Sequence, residues 1–416
     1  MTLIPGSSVH PDPREGEGFF LNSPQKLDNP FPDLQYFREN RPIFFYPPLD
    51  QWFVFKYDAV NELLSDPRLS ADRMKGFVDK VPEEVREEFK TIAPLLTMWV
   101  LMQDGEDHAR LRNFLYLGFN GTVVHDLKEQ TQKSADELLD RVERQGYMDG
   151  SSDYGFVLTA YVLSDFLGVH KEDRDQVIQW SVDFVDFFNI VPITVDTTRR
   201  LVRSTNGLSQ YTRGLIAERR ANPQNDFLTT LIRAENEGGH FSDDEIVANA
   251  MLFLLAGHLA VRNLIGNAIY LLLTHPEQYR QLLAQPELLE NAVEETLRYE
   301  PPVILIPRIA NEDFLFNGNR FRQGQLIQLS IASANRDADH FSMPDQFDIT
   351  KKPGKILSFG HGPHTCLGAV LARQEAIIAL ETLFRRFPTI KIAEDKQIQW
   401  YRNAGNRGPQ KLPLVF

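Results

Sequence analysis

The stretch SFGHGPHTCLGAVLAR, residues 358–373, decides the fold of this chain. It contains Cys366, the single cysteine among 416 residues, and three glycines surround that cysteine. The glycines are Gly360, Gly362 and Gly368. Glycine adopts backbone angles that other residues avoid, and it lets the main chain approach a ligand closely. From Leu367 onward apolar residues recur at helical spacing, which predicts a helix that begins directly after the cysteine.

The position of Cys366 favours a thiolate that binds a metal. A helix N-terminus carries partial positive charge and unpaired N–H groups, which stabilise an anion by roughly 0.3–1 kcal/mol. The same position is expected to lower the pKa of the thiol, and a thiolate is what a haem iron needs as an axial ligand. A small buried thiol in an ordinary turn is the alternative. These residues alone leave both interpretations open.

The order of residues in the loop favours the first interpretation. Residues 359–368, FGHGPHTCLG, resemble the cysteine-ligand loop of the cytochrome P450 family. The resemblance implies a cytochrome P450 fold that is mainly α-helical with a smaller β-rich lobe. It also implies haem b (iron protoporphyrin IX) as cofactor, with Cys366 as the axial ligand and Phe359, Gly360 and Gly368 close to the haem.

Composition excludes several other classes of protein. The chain has 44 Lys+Arg against 57 Asp+Glu, a formal net charge of −13, so no basic field attracts nucleic acid or an anionic membrane. The N-terminus lacks the apolar core of a signal peptide, and one cysteine excludes an intrachain disulfide framework. A cytoplasmic protein without membrane insertion is expected. No linker or repeat divides the chain, so residues 1–416 are predicted to form one domain with an extended lead-in over residues 1–35.

Two pairs of basic residues are expected to hold the haem propionates. His108 and Arg112 follow a predicted N-cap at Asp104 and stand four residues apart, on one helix face. A solvated charged face is the alternative, but the neighbouring residues resemble the C helix of the family, which holds a propionate. The resemblance gives the same role to Arg308 and His364. Removing one partner from such a buried ion pair costs about 3–5 kcal/mol.

Residues 243–273 predict the longest helix of the chain. Its middle is apolar on all sides, but the polar residues that interrupt it would be costly in a bilayer. A buried central helix is therefore expected. Ala256 and Gly257 would form a groove on the oxygen side of the haem, and His258 and Arg262 are interpreted as polar residues that face neighbouring helices.

The same helix departs from the family pattern. The family usually carries Ala-Gly-x-Glu/Asp-Thr, in which an acid and an alcohol relay protons to bound oxygen. Leu259 and Ala260 occupy those two places, followed by Val261, and none of these side chains donates a proton. Ordered water, a substrate hydroxyl or the nearby polar side chains must substitute, or the reaction is a different one.

Two further elements receive a structural role and a docking role. Glu295 and Arg298 match the Glu-x-x-Arg element of the family, which braces the core behind the cysteine loop, and are predicted to be structural. Lys351, Lys352 and Lys355 form a basic cluster in an acidic protein. They are either an ordinary solvated loop or a docking site for an acidic ferredoxin.

Three segments are candidates for contact with substrate. Residues 68–96 are charged, are predicted to be irregular, and correspond to the roof of the substrate pocket in the family. The apolar link at residues 189–193 is either a lid over the pocket or a loop packed on its neighbours. The turn at residues 403–406 touches substrate in some members of the family.

The expected function is that of a haem-thiolate monooxygenase. It would hydroxylate or epoxidise an apolar natural product, polyketide-like or terpenoid-like, with O2 and electrons from a ferredoxin and its reductase. One alternative is a haem-thiolate enzyme of non-standard reaction, which is peroxide-driven, nitric-oxide-reductase-like or a catalyst of oxidative coupling or rearrangement. A non-catalytic protein that binds haem or another ligand is the third possibility.

Overall fold

Helices form most of the structure, a computed structural model that describes residues 24–119, 121–189, 193–236 and 241–416. The helices in chain order are α1 (Pro24–Asp28), α2 (Phe31–Asn40), α3 (Tyr57–Leu63), α4 (Met74–Lys80), α5 (Glu83–Thr97), α6 (Gly105–Leu117), α7 (Gly121–Glu143), α8 (Phe156–Leu167), α9 (Arg174–Asn189), α10 (Val195–Ala221), α11 (Phe227–Asn236), α12 (Asp243–Thr274), α13 (Pro276–Ala284), α14 (Leu289–Tyr299), α15 (Ile331–Ala334) and α16 (Ala369–Arg386).

The strands form one larger sheet and several small ones. In chain order they are β1 (Ile43–Tyr46), β2 (Gln51–Val54), β3 (Leu69–Ser70), β4 (Tyr147–Asp149), β5 (Leu305–Ala310), β6 (Phe314–Phe316), β7 (Asn319–Phe321), β8 (Leu326–Ser330), β9 (Lys391–Ile392), β10 (Gln399–Trp400), β11 (Pro409–Lys411) and β12 (Pro413–Val415). The larger sheet has the order β1-β2-β8-β5-β3, and a three-stranded sheet has the order β4-β12-β9. The predicted mainly α-helical fold with a smaller β component is confirmed.

The larger sheet joins distant parts of the chain. Strands β1 and β2 form an antiparallel hairpin. Strand β2 pairs in parallel with β8, and Gln51 lies opposite Leu326. Strand β8 also pairs with β5, where Arg308 lies opposite Ile327. The sheet therefore fixes Arg308 relative to the N-terminal hairpin.

Helix α12 is the buried central helix that the sequence predicts. It begins with a capping box in which Ser242 and Glu245 satisfy each other's backbone N–H groups. Its length and composition would suffice to cross a membrane, but 61% of its most apolar 18-residue window is buried inside the protein. Helices α8, α9, α10, α14 and α16 all contact it. It therefore serves as the core around which the other helices pack.

The N-terminal segment corrects one prediction. Helix α2 begins after Pro30 and carries Pro32 in its first turn, where a missing N–H is tolerated. It buries Leu34 and Phe37. The expected extended lead-in over residues 1–35 is therefore wrong from Pro24 onward, apart from the short link between α1 and α2. The rest of the lead-in, residues 1–23, lies outside the described residues.

The expectation of an irregular segment over residues 68–96 is also wrong. Helices α4 and α5 occupy most of it, and α5 runs through Pro94. Helix α5 buries one apolar stripe, whose residues are Val85, Phe89, Ile92 and Leu96. That stripe packs on the core, and the charged residues occupy the opposite face.

Helices α7 to α10 follow one another between residues 121 and 221. The link interpreted as either a lid or a packed loop falls between α9 and α10. Its residues 190–192 lie outside the described part of the chain.

Candidate active site

The loop before α16 holds Cys366 in a fixed backbone conformation. The Cys366 N–H donates to the Phe359 carbonyl at 2.9 Å, which closes the loop. Gly360 and Gly362 have φ angles of 72° and 76°, in the left-handed region that favours glycine. A Cβ at Gly362 would overlap the Ser65 hydroxyl, so the loop also lies against the end of α3. Two of the three predicted glycines are therefore required by backbone geometry.

The surroundings of Cys366 act on the pKa of its thiol in opposite directions. Burial raises the pKa of the Cys366 thiol, whereas the Gly368 N–H and the charges of Arg112 and Arg373 lower it. Burial is the larger effect, so the predicted lowering of the Cys366 pKa by its position alone is wrong. Cys366 as a residue is nevertheless exposed. A side chain that is exposed and yet enclosed by protein faces an internal cleft.

Three arginines surround this cleft without a carboxylate of their own. Arg73, Arg112 and Arg308 form no salt bridge with any residue that the structure describes. Burial lowers the pKa of all three, and the charge of Arg308 contributes to holding that of Arg73 at about 10. The Arg73 Nη1 atom donates to the Pro307 carbonyl at 3.4 Å, which places it beside β5. The sequence prediction omitted Arg73.

The carboxylate of Asp104 faces Arg73 and Arg308. Asp104, the predicted N-cap of α6, precedes that helix, but its side chain accepts hydrogen bonds from Ser70 and the Ala71 N–H instead of capping. Burial alone would raise its pKa, but these bonds and the contact with His364 hold the Asp104 pKa at about 2. His364 Nε2 lies 3.4 Å from Asp104 Oδ1, and its ring lies 4.0 Å from that of His108. Burial, His364 and Arg112 lower the His108 pKa to about 4.

These residues fit a haem group. A haem brings an iron that accepts a thiolate and two carboxylates that need buried positive partners. The cleft offers one thiol with a backbone N–H donor beside it. It also offers Arg73, Arg112 and Arg308, none of which has a salt bridge to a described residue. The donor set and the unbalanced charge both match the cofactor.

The Glu295 and Arg298 pair is buried and braces the region behind the loop. Two hydrogen bonds of 2.7 and 2.8 Å join their side chains, each 5% exposed. Arg298 also donates to the carbonyls of Asn335, Pro344 and Gln346. The arginine therefore ties α14 to the segment that leads into the cysteine loop.

Asn335 transmits this brace to the loop. Its Oδ1 atom accepts the Leu357 N–H at 2.8 Å, and its Nδ2 atom donates to the Ser358 hydroxyl at 2.7 Å. The Ser358 hydroxyl donates in turn to the Leu297 carbonyl at 2.6 Å, within α14. The start of the cysteine loop is therefore held by side chains on both sides.

One face of helix α12 lines a cavity. Asn249 accepts the Val100 N–H at 2.8 Å, and Asn267 donates to the carbonyls of Glu300 and Arg407. Between these contacts Ala256 is exposed, although it lies in the middle of a buried helix. Ala260, one turn later on the same face, is partly exposed. The middle of this face therefore opens onto a cavity.

Gly257 follows Ala256 and also approaches a neighbouring helix. A Cβ at Gly257 would lie 2.8 Å from the Leu163 Cδ2 atom of α8, so a larger residue would have to displace that side chain. Gly257 is partly exposed. The predicted places of Ala256 and Gly257 in an oxygen-side groove both stay predictions.

His258 and Arg262 face neighbouring elements, as the sequence interpretation holds. His258 Nδ1 and the Ser181 hydroxyl of α9 lie 2.9 Å apart. Arg262 Nε donates to the Ser151 hydroxyl at 3.0 Å, and its Nη1 atom donates to the Tyr401 hydroxyl. Both side chains are buried and bonded away from the cavity face. Neither one replaces the missing acid and alcohol.

The three lysines differ in their surroundings. Lys351 pairs with Asp348 at 2.9 Å, and Lys355 donates to Asn61 at 3.3 Å. Lys352 is exposed and has no ion pair with a described residue. The cluster is therefore a solvated loop in which Lys352 and Lys355 have no ion pair with a described residue, and its docking role stays a prediction.

Comparisons with known proteins identify the family. The sequence model of the family "Cytochrome P450" matches residues 53–285 and 280–404. The chain therefore belongs to the cytochrome P450 family, whose members use haem iron, and it is a P450 oxidoreductase.

Three proteins illustrate the similarity. A Bacillus subtilis "Cytochrome P450" is 36% identical over 370 residues, 88% of each chain. The "Polyketide biosynthesis cytochrome P450 PksS" of the same organism is 33% identical over 395 residues, 93% of this chain and 95% of that one. Among solved structures, P450BioI in complex with acyl carrier protein ligated to hexadec-9Z-enoic acid has a TM-score of 0.85. It is 32% identical over 95% of this chain and 100% of that one.

Proposed function

We propose that the protein is a haem-thiolate monooxygenase that hydroxylates or epoxidises an apolar natural product with O2. The observation that carries the proposal is the Cys366 sulfur, which faces an internal cleft beside three arginines without carboxylate partners. The spectrum of the reduced, CO-bound protein tests it. A thiolate-ligated haem gives a characteristic absorption band in this state, and Cys366→Ser should abolish that band. An unchanged band in the variant would contradict the proposal.

Haem b is the cofactor that these residues are proposed to hold. Cys366 would bind the iron, and Phe359, Gly360 and Gly368 would shape the loop beneath the ring. The thiolate-bound iron supplies the activation of O2 and the cleavage of its O–O bond. Arg73, Arg112, Arg308, His108 and His364 would hold the two propionates. Burial destabilises the charged form of these side chains, and an anion beside them would offset that cost.

Arg73 is the member of this set that the sequence did not predict, and it provides a sharp test. Arg73→Gln keeps a polar side chain but removes the charge. Because a hydrogen bond to a charged group contributes about 1.5–3 kcal/mol, haem transfer to apomyoglobin should accelerate about tenfold or more. Arg86→Gln, in helix α5, is the matched control and should leave the transfer rate unchanged. Equal rates in both variants would remove Arg73 from the haem site.

An apolar polyketide-like or terpenoid-like compound is the proposed substrate class. The relative PksS is named for polyketide biosynthesis. The structural neighbour P450BioI is in complex with an acyl carrier protein to which hexadec-9Z-enoic acid is ligated. Helices α4 and α5 would roof the pocket, since their apolar residues face inward. A library of macrolides, terpenoids and fatty acids should include compounds that shift the haem spin state. A library in which only ionic, polar compounds produce the shift would contradict this substrate class.

A ferredoxin with its reductase is the proposed electron source, in the cytoplasm. Lys352 is the fully solvated member of the two lysines in the cluster that lack an ion pair with a described residue, and an acidic ferredoxin would be attracted to it. Lys352→Glu should slow reduction by ferredoxin at low salt and weaken its dependence on ionic strength. Lys391→Glu, on strand β9, is the control. An identical reduction rate and salt dependence in both variants would exclude this docking site.

A peroxide-driven or otherwise non-standard reaction is the second candidate. The observation that favours it is the apolar character of Leu259 and Ala260, together with the bonding of His258 and Arg262 away from the cavity. Turnover with hydrogen peroxide should then exceed turnover with ferredoxin, NADPH and O2. Introducing Glu and Thr at residues 259 and 260 should reverse that preference if the apolar pair determines it.

A further inference from the structure

Another cavity lies between the N-terminal helices and the ends of two core helices. Its volume is about 390 Å³, within the range of sites that bind small molecules. Helices α1 and α2 form one wall, and the C-terminal ends of α12 and α14 form the other. Its described lining contains none of the residues placed around Cys366. Because the lining residue Asp345 is exposed, the cavity opens to solvent.

The two arginines in the wall are already bonded to the protein. The Cζ atom of Arg336 lies 3.6 Å from the ring centroid of Phe31 and 3.7 Å from that of Tyr299. Its Nε and Nη2 atoms donate to the Tyr299 carbonyl at 2.9 and 2.6 Å. Arg407 donates to the Glu300 carboxylate and to two carbonyls of α1. An anionic ligand would have to compete with these bonds.

Two carboxylates in the wall keep open acceptor atoms. Glu300 is 4% exposed, and its Oε1 atom accepts from Arg407. Its Oε2 atom accepts no hydrogen bond from a described residue and lies 3.7 Å from the Arg336 Nη2 atom. Asp345 Oδ1 lies 3.5 Å from the Arg336 Nη1 atom, the limit of a hydrogen bond. A ligand with strong donors would complete the bonding of both carboxylates.

The rest of the wall also favours a ligand that donates. His275 Nδ1 lies 2.8 Å from the Leu271 carbonyl, which can only accept, so the Nε2 atom of the neutral ring is an acceptor. The Tyr270 hydroxyl has no hydrogen bond with a described residue. Helices α12 and α14 both end at the cavity, and helix C-termini carry partial negative charge.

The formal charges of the wall are nearly balanced, so the open groups decide which ligand fits. The wall has three carboxylates and two arginines, and Arg402 pairs with one of the carboxylates, Asp28. The unused groups are mainly acceptors. The rings of Tyr270 and Trp400, whose centroids are 5.0 Å apart, supply the aromatic part of the wall. Aromatic faces attract cations as well as other rings.

We propose that this cavity binds a small aromatic amine as its ammonium ion. The ammonium group donates to Glu300 Oε2 and to Asp345, and the ring lies against Tyr270 and Trp400. The ligand would join the N-terminal helices to the core, because the two walls belong to these two parts of the chain. This site goes beyond the monooxygenase function proposed above and does not depend on it.

Tyramine is the probe, and titration calorimetry of the reduced, CO-bound holoprotein measures its binding. Bound CO occupies the iron position that an amine would otherwise take. Neutral 4-ethylphenol and anionic 4-hydroxyphenylacetate carry the same ring and are the matched probes. Because hydrogen bonds to charged groups are about twice as strong as neutral ones, tyramine should bind at least about tenfold more tightly than either. Equal affinity of the three compounds, or no binding of tyramine at millimolar concentration, would overturn the proposal.

Two variants locate the site. Asp345→Asn, at an exposed position, should weaken tyramine binding about tenfold, and Glu300→Gln should weaken it at least as much. Asp313→Asn removes another exposed carboxylate that pairs with an arginine, and it should leave the affinity unchanged. Should Glu300→Gln fail to fold, Asp345→Asn decides. A crystal structure with tyramine should place its ammonium group beside Glu300. Unchanged affinity in Asp345→Asn, or tyramine found only in the cleft of Cys366, would contradict the assignment.

Discussion

Replacing Glu375 by Gln should stabilise the protein in a pH-dependent way. Glu375 lies in α16, the helix that follows the cysteine loop, and is 2% exposed. Its Oε1 atom has no hydrogen-bond partner among the described residues. Burial raises the pKa of this carboxyl from 4.5 to about 8, although a hydrogen bond with Thr159 opposes the rise. The carboxyl is therefore protonated in the folded protein at neutral pH.

The sign and size of the effect follow from this pKa. The folded protein retains a proton that the unfolded chain has released, so stability is greatest below pH 4.5 and is lost as the pH rises through 8. At 1.36 kcal/mol per pH unit, the interval corresponds to a total cost of about 5 kcal/mol, of which about 3 kcal/mol is present at pH 7. Gln has nearly the same shape and does not titrate. It removes that cost.

The assay is unfolding by guanidinium chloride at pH 5, 6, 7 and 8, followed by circular dichroism. The free energy of unfolding of Glu375→Gln minus that of the wild type should grow by roughly 1 kcal/mol per pH unit. Glu381→Gln, on the exposed side of the same helix, should show a difference that is small and constant. Both variants carry the same cofactor, so its contribution cancels. A Glu375→Gln difference that is independent of pH would refute the reasoning.

Three other predictions concern the brace and the loop. Arg298→Ala leaves a buried carboxylate unpaired and should cost about 3–5 kcal/mol of stability, whereas Arg320→Ala, in an exposed pair, should cost less than about 1 kcal/mol in the same denaturant titration. Gly362→Ala should lose haem faster than wild type, because the φ angle of 76° alone costs an alanine about 1–2 kcal/mol. Gly354→Ala, which meets open space, is its control. Asn335→Ala should lower the thermal midpoint and broaden the haem absorption band, since it leaves buried loop groups unsatisfied at about 1–3 kcal/mol.

Equal stability of the two arginine variants would show that burial adds nothing to the Glu295 and Arg298 pair. Equal haem retention in the two glycine variants would show that the left-handed angle is not required. An unchanged absorption band in Asn335→Ala would show that the loop is held by other contacts.

Structural elements could be predicted from the sequence where the pattern is local and its physical cause is strong. The loop around Cys366 depends on glycines at fixed offsets, and the central helix depends on a long apolar run that only a protein core accommodates. The Glu295 and Arg298 spacing likewise fixes a pair on one helix turn. What the spacing could not show was the burial of that pair, since burial depends on the segments that pack over α14.

The predictions that were wrong or absent have identifiable physical causes. Helix α5 was hidden by its charged residues, although Val85, Phe89 and Ile92 recur at intervals of four and three and would have indicated a helix. Arg73 carries no local signal, because its importance comes from its position beside β5. The pKa of Cys366 was misjudged because desolvation outweighs the N-terminal field of a helix.

The parallel pairing of β2 with β8 has a consequence for the folding of the chain during its synthesis on the ribosome. The strand at residues 51–54 must wait for residues 326–329 to emerge before its outer edge is covered. At a synthesis rate of about 5–20 residues per second this delay lasts many seconds, during which the unpaired edge is open to aggregation. Cys366 appears later still. Nascent chains are therefore expected to bind haem only shortly before their release from the ribosome. An iron-starved cell should accumulate haem-free protein that chaperones retain.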